Sequence, residues 1–80
     1  MSVTVLLFAS YADQLGSASL PMELSPGATV GDVLADLRRR PGGHLLPANP
    51  LVAVNQRYAN ADTAVAAGDE VALIPPVAGG

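Results

Sequence analysis

The hydrophobic positions of the chain follow two periods, one typical of strands and one typical of a helix. An apolar run rich in β-branched residues at 3–9 predicts a first strand. Leu20, Met22 and Leu24 then alternate with serine, proline and glutamate, which predicts a second, half-buried strand. Pro21 has no amide hydrogen to donate to a neighbouring strand, so this second strand is expected at an edge of the sheet.

The clearest helix signal begins at Thr29 in the middle of the chain. Thr29 suits the N-cap position, and Asp32, three residues later, approximates a capping box. The apolar stripe that follows at helical spacing consists of Val30, Val33, Leu34 and Leu37. Three arginines at 38–40 close the last turn, where cations meet the negative end of the helix dipole, and Pro-Gly-Gly at 41–43 ends the helix.

Short strands are expected in the second half of the chain, after a loop at 44–50. The pattern predicts a strand at 51–54, a turn at Asn55-Gln56, a short return strand near Tyr58 and a last strand at 71–74. Two consecutive prolines then end the last strand, because neither can extend a ladder of hydrogen bonds.

This order of elements predicts an α+β fold in one domain spanning 1–80, with an extended tail at 75–80. A helical segment of one or two turns is expected at 11–15, ended by Gly16. Strand pairs crossed by one main helix and completed by a last strand form the β-grasp (ubiquitin-like) arrangement, a mixed sheet of about four to five strands. The first and last strands are then expected to lie parallel and adjacent in the middle of the sheet.

Composition narrows the classes of function. The chain has no cysteine, so it cannot carry sulfur as a side-chain persulfide or hold a thiolate metal site. Its net charge of -3 argues against nucleic-acid binding. No signal-peptide pattern and no run of membrane-spanning length is visible, so no membrane association and a cytoplasmic location are expected. His44 is the single histidine, and no metal site is predicted.

The chain resembles the MoaD/ThiS family of ubiquitin-like sulfur carriers over essentially its whole length. The matching segments are Leu7-Phe8-Ala9, Gly27-Ala28-Thr29-Val30, Val52-Ala53-Val54-Asn55-Gln56, Gly68-Asp69-Glu70-Val71 and Pro75-Pro76-Val77-Ala78-Gly79-Gly80. The Pro-Pro-Val-x-Gly-Gly ending is more typical of the molybdopterin branch than of the thiamine branch. One departure lies in the first helical turn, where the family often has Arg-Glu and this chain has Ala12-Asp13.

The resemblance implies that Gly80 carries the reactive group, as its own backbone carboxylate. An E1-like adenylyltransferase would use ATP to form a transient acyl-adenylate on Gly80, with no cofactor bound permanently to the chain. A sulfur donor of the cysteine desulfurase or rhodanese type would then produce a thiocarboxylate. The large subunit of molybdopterin synthase would use this sulfur to build the molybdopterin dithiolene.

The composition of the tail suits this chemistry. Gly79 and Gly80 have no Cβ, so the backbone can enter a narrow channel and a nucleophile can approach the carbonyl unhindered. Pro75 and Pro76 have a fixed φ, which lowers the entropy cost of ordering the tail where it leaves the domain.

An apolar patch is expected on the sheet face opposite the helix. Alternation along the first and last strands directs Leu6, Phe8 and Ile74 outward, beside the point where the tail begins. The resemblance implies hydrophobic contact with the large subunit at Phe8, Tyr58 and Ile74, and partner contacts along Pro75, Pro76 and Val77. Such a patch beside a reactive tail is a candidate interface.

The sequence leaves other functions open. The tail would serve equally a sulfur carrier for thiamine, cysteine or tRNA thiolation. A ubiquitin-like modifier and an interaction domain with an inert tail are further alternatives. The carboxylates at 69–70 are expected to belong to an ordinary turn, and the arginines at 38–40 to a solvated helix end. No catalytic constellation of side chains is apparent, so the isolated chain is expected to have no catalysis of its own.

Overall fold

The computed structural model describes residues 1–76, which form a mixed sheet of five strands with a helix packed across one face. The elements in chain order are β1 (Ser2–Leu7), α1 (Ala9–Leu15), β2 (Ser19–Glu23), α2 (Val30–Arg39), a 3-10 turn (Gly43–Leu45), β3 (Leu51–Val54), β4 (Arg57–Ala59) and β5 (Glu70–Ile74). The order across the sheet is β2-β1-β5-β3-β4. The predicted β-grasp fold is confirmed.

The first and last strands form the centre of the sheet. β1 and β5 pair in parallel, with Thr4 opposite Glu70 and Leu7 opposite Leu73. β2 pairs with β1 and lies at one edge, where Pro21 stands opposite Thr4. The parallel central pair and the edge position of β2 were both expected, and both are confirmed.

The core lies between the inner sheet face and the apolar stripe of α2. Val5, Val33, Leu37, Val71 and Leu73 have no measurable exposure. Tyr11 is the one buried aromatic residue among residues 1–76, so the core consists mainly of branched aliphatic side chains. The inward positions of β1 and β5 agree with the alternation in the sequence.

The start of α2 is closed by hydrogen bonds from two sources. Thr29 is the N-cap, and the Asp32 carboxylate accepts a hydrogen bond from the Thr29 N–H at 2.8 Å. The next two amides, of Val30 and Gly31, donate to the carbonyls of Thr63 and Ala61, each at 2.9 Å. Because these amides are satisfied by the chain itself, the predicted helix start is confirmed and the helix N-terminus is not an open anion site.

The junction of β1 and α1 differs from the sequence-based prediction. β1 ends at Leu7 rather than at residue 9, and α1 begins at Ala9 rather than at Tyr11. Phe8 between them is the N-cap with an extended backbone, and Ala9 has a positive φ of 48°. This change of backbone direction ends β1 two residues before the predicted end at residue 9. Since Phe8 itself stays extended, its side chain keeps the outward direction expected from strand alternation.

The segment after α2 is more ordered than the predicted loop at 44–50. It contains the 3-10 turn, and Leu46 is buried. The Arg38 guanidinium donates to the carbonyls of Pro47 at 2.9 Å and Ala48 at 2.7 Å. Arg40 pairs with Asp36 at 2.8 Å. The arginines at 38–40 are therefore not simply a solvated helix end, because Arg38 fastens the following loop to the helix.

The β3–β4 hairpin has the predicted two-residue turn. Asn55 and Gln56 both have positive φ, 50° and 70°, as a type I′ turn requires. The turn directs the chain back along β3, with Tyr58 opposite Ala53.

Candidate functional site

The root of the tail lies at the end of the central strand. β5 ends at Ile74, Pro75 is half-buried and Pro76 is exposed. Prolines at these two positions agree with the predicted end of the strand, because they cannot supply amide hydrogens to the ladder. The predicted functional residues Val77, Gly79 and Gly80 lie outside the described residues.

An apolar surface covers the sheet face opposite α2. We call it the outer patch and define it by Leu6, Phe8, Leu51, Ala53, Tyr58, Ala72 and Ile74. Phe8 is 48% exposed and Tyr58 is 75% exposed, whereas Leu6 and Ile74 are half-buried. The predicted outward direction of Leu6, Phe8 and Ile74 is thus confirmed, and Tyr58 joins them around one shallow depression. Their contact with a partner stays a prediction.

Leu51 belongs to the outer patch but was missed by sequence reasoning. It stands opposite Ile74 in the antiparallel pairing of β3 with β5, so the two side chains share a face. It is 47% exposed. Alternation along β3 places Leu51 and Ala53 on the same side, but the sequence did not reveal which strand and which residue lie beside them.

A polar clamp holds the β3–β4 hairpin against the start of β5. The Asn55 side chain donates to an Asp69 carboxylate oxygen at 3.0 Å and accepts from the Glu70 N–H at 3.0 Å. The Asn55 N–H donates to the Glu70 carbonyl at 2.8 Å. The clamp fixes the hairpin that carries Tyr58.

Asp69 is part of this structural clamp. Its second carboxylate oxygen accepts a hydrogen bond from the Ala66 N–H at 2.8 Å. The hydrogen bond from Asn55, and then that from Ala66, hold the pKa of Asp69 below its ordinary value. The prediction that this carboxylate serves a turn is confirmed.

The described residues offer no metal site around the single histidine. His44 is exposed in the 3-10 turn, and no group of metal-ligating side chains is found within residues 1–76. Over the same residues, no helix has the length and apolarity needed to cross a membrane. The outer patch beside the tail root is therefore the leading candidate site of the described region.

Comparison with known proteins gives the same family as the sequence. The ThiS family profile matches residues 5–80. A molybdopterin synthase sulfur carrier subunit from Chlamydomonas reinhardtii is 35% identical over 83 residues, covering 100% of both chains.

Two solved structures share the fold over nearly the whole chain. SAMP1 (small archaeal modifier protein 1) from Haloferax volcanii matches with a TM-score of 0.86 and 35% identity, covering 100% of both chains. A putative molybdopterin converting factor, subunit 1, from Pyrococcus furiosus matches with a TM-score of 0.85 and 28% identity, covering 96% of this chain and 99% of that one. Because the family profile and the Chlamydomonas relative both span the chain, it belongs to the ThiS family of β-grasp sulfur carriers.

Proposed function

We propose that the chain is the sulfur carrier and small subunit of molybdopterin synthase. The observation that carries this proposal is the continuity of the outer patch with the tail root. Ile74 is the last residue of β5 and part of the patch, and Pro75 follows it directly. A partner seated on the patch therefore lies beside the start of the tail. The names of the Chlamydomonas and Pyrococcus relatives, both subunits of molybdopterin enzymes, support this assignment.

The proposed reactive group is the backbone carboxylate of Gly80. A carboxylate is a poor electrophile, so an E1-like adenylyltransferase first joins it to the AMP part of ATP and releases pyrophosphate. A donor of the cysteine desulfurase or rhodanese type then attacks the acyl-adenylate through its persulfide sulfur, and AMP leaves. A thiol reduces the resulting acyl disulfide, which releases the donor and leaves a thiocarboxylate on Gly80. The large subunit transfers this sulfur to the pterin precursor of the dithiolene.

The residues of this chain position the terminus rather than catalyse. Residues 76–80, when extended, reach roughly 16 Å at about 3.3 Å per residue, enough to enter a partner's active site. Pro75 and Pro76 limit the conformations that are lost when the tail becomes ordered, and Val77 is a further proposed partner contact. Gly79 and Gly80 keep the approach to the carbonyl free of side chains.

The likeness to SAMP1 favours one alternative, a ubiquitin-like modifier joined through its terminus to lysines of other proteins. The chain has no lysine of its own, so side-chain-linked chains of itself are excluded, but attachment to other proteins is not. Sulfur delivery to thiamine, cysteine or tRNA is a second alternative, because it needs the same terminus and a different partner surface.

Intact mass spectrometry tests the proposed terminus. The chain is incubated with an E1-like adenylyltransferase, ATP and a sulfur donor, and the mass is expected to change by the replacement of one oxygen atom with sulfur. The matched controls are a variant lacking Gly80 and a variant with one alanine added after it, both of which should keep the starting mass. An unchanged mass, with enzymes that modify their own carrier, would refute a thiocarboxylate function.

Two further measurements separate the alternatives. Adding the large synthase subunit and the pterin precursor to the thiocarboxylate form should yield molybdopterin if the pathway is correct. A modifier would instead give conjugates that survive thiol reduction and that contain an isopeptide bond from Gly80 to a target lysine.

A further inference from the structure

Glu70 is a charged residue within an otherwise mainly apolar surface. Its side chain lines the same depression as Leu6, Phe8, Tyr58 and Ile74, and the residue is half-buried. Its opposite residue in β1 is Thr4, so it lies at the start of β5, at the end of the outer patch away from the tail root. Gln56 is the other polar residue of the depression.

The Glu70 carboxylate has no use within the described fold. Its backbone N–H and carbonyl are bonded to Asn55, but no hydrogen bond or ion pair within residues 1–76 involves its carboxylate. The neighbouring Asp69 differs in this respect, because both of its carboxylate oxygens accept hydrogen bonds of the polar clamp. Of these two adjacent acidic residues, Asp69 is therefore used within the fold, whereas the Glu70 carboxylate is not.

A partner that covers the outer patch would remove water from this carboxylate. A carboxylate enclosed without a counter-charge is strongly unfavourable, whereas one that meets a cation with good hydrogen-bond geometry is tolerated or favourable. Hydrophobic contact is also non-directional, so Leu6, Phe8 and Ile74 alone do not fix how a partner is oriented. A charge at one end of the patch and the tail at the other would do so.

We propose that Glu70 is a specificity-determining residue whose carboxylate pairs with an arginine or lysine of the synthase partner. This proposal rests on the proposed function, because it takes the outer patch as the surface that the large subunit covers. The partner face is then apolar with one cation opposite Glu70. Arginine suits the position best, since its planar guanidinium can bond both oxygens of a carboxylate.

Binding of the large subunit to Glu70→Gln and Glu70→Arg tests the pairing. Glutamine keeps the size of the side chain and an oxygen acceptor but removes the charge, and arginine reverses the charge. Loss of one member of an enclosed charge pair should raise the dissociation constant by roughly thirtyfold or more. Charge reversal should raise the dissociation constant further, because two cations would then face each other.

Asp62→Asn and Asp62→Arg are the matched controls for the change in charge. Asp62 is exposed and lies between Ala61 and Thr63, whose carbonyls accept hydrogen bonds from the first amides of α2. It does not line the depression of the outer patch. These controls should bind like the parent, and thermal unfolding should show that all four variants are folded.

A third variant separates failure of this proposal from failure of the proposed function. If Phe8→Asp weakens binding but Glu70→Gln binds as tightly as the parent, the patch is an interface and the charge pair is refuted. If the parent binds and neither variant weakens binding, the outer patch is not the surface for the large subunit and the charge pair is refuted. If the parent itself does not bind the large subunit, the proposed function fails. If Glu70→Gln and Glu70→Arg weaken binding in that order, the partner cation is supported.

Discussion

Asp69 and Glu70 are adjacent in sequence and of the same charge, yet their surroundings differ. Asp69 accepts hydrogen bonds from Asn55 and Ala66, so its charged form is stabilised by the fold. The Glu70 carboxylate lines the outer patch instead. A dipeptide that sequence reasoning treated as one turn therefore contains one structural residue and one candidate for recognition.

The lowered pKa of Asp69 predicts a dependence of stability on pH. Because the pKa of Asp69 is lower in the folded chain than in the unfolded one, the charged carboxylate stabilises the fold fully at pH values above the unfolded pKa. This contribution is lost as the pH falls through the lower, folded pKa. Replacing Asp69→Asn should therefore reduce the free energy of unfolding at pH 7 and have progressively less effect in acid.

Urea unfolding of the parent and of Asp69→Asn at neutral and acidic pH measures this difference. Asp13→Asn is a suitable control, since Asp13 is exposed on α1 and makes no hydrogen bond or ion pair within residues 1–76 through its carboxylate. A difference between the parent and Asp69→Asn that is equal at both pH values would contradict the assigned role.

At the scale of elements, the turn after α2 depends on glycine for close packing. Gly42 has a φ of 84°, and a Cβ there would collide with the backbone carbonyl of Gln14 in α1. A Cβ on Gly43 would collide with the Leu37 carbonyl of α2. The Gly-Gly pair that follows α2 therefore also allows α1, α2 and the 3-10 turn to pack closely.

The loss of stability in Gly42→Ala, compared with that in Gly68→Ala, tests the close approach of Gly42 to the backbone of Gln14. Gly68 has nearly the same φ, 83°, but a Cβ there would meet no atom within 4 Å. Gly68→Ala should cost about 1 kcal/mol of unfolding free energy from backbone strain alone. Gly42→Ala should cost about 1 to 3 kcal/mol more because packed backbone must move. Equal losses in chemical denaturation would show that α1 does not pack tightly on this turn.

The elements that could be predicted from the sequence are those specified by local chemistry. Thr29 and Asp32 predict the start of α2, and local sequence likewise predicts the Asn55-Gln56 turn and the strand-ending prolines. The positive φ of Ala9 and the burial of Leu46 are not predictable in this way, because no local pattern indicates either. Leu51 was missed for a related reason: strand alternation gave its side, but only the pairing with β5 placed it beside Ile74.

At the scale of the whole molecule, a mutation in the outer patch should weaken partner binding without unfolding the chain. If the large synthase subunit covers the outer patch, Phe8→Asp should weaken its binding by roughly thirtyfold or more, because a charge would replace an exposed aromatic side chain of the patch. The fold should tolerate it: Phe8 is about half exposed, and aspartate is favoured at the N-cap position that Phe8 holds.

Leu45→Asp is the matched control for this prediction. Leu45 is an exposed leucine, 55% accessible, in the 3-10 turn rather than in the outer patch. Isothermal titration calorimetry with the large subunit should detect the loss for Phe8→Asp and unchanged affinity for Leu45→Asp. Equal losses would indicate that any added negative charge disturbs the complex.

The central position of β5 has a consequence for how the sheet is completed. β1 with β2 and β3 with β4 are two hairpin-like pairs, and the strand that joins them, β5, is the last strand within residues 1–76. Without β5 these would be two unjoined pairs, so the segment that leads to the tail root is itself the element that unites the sheet.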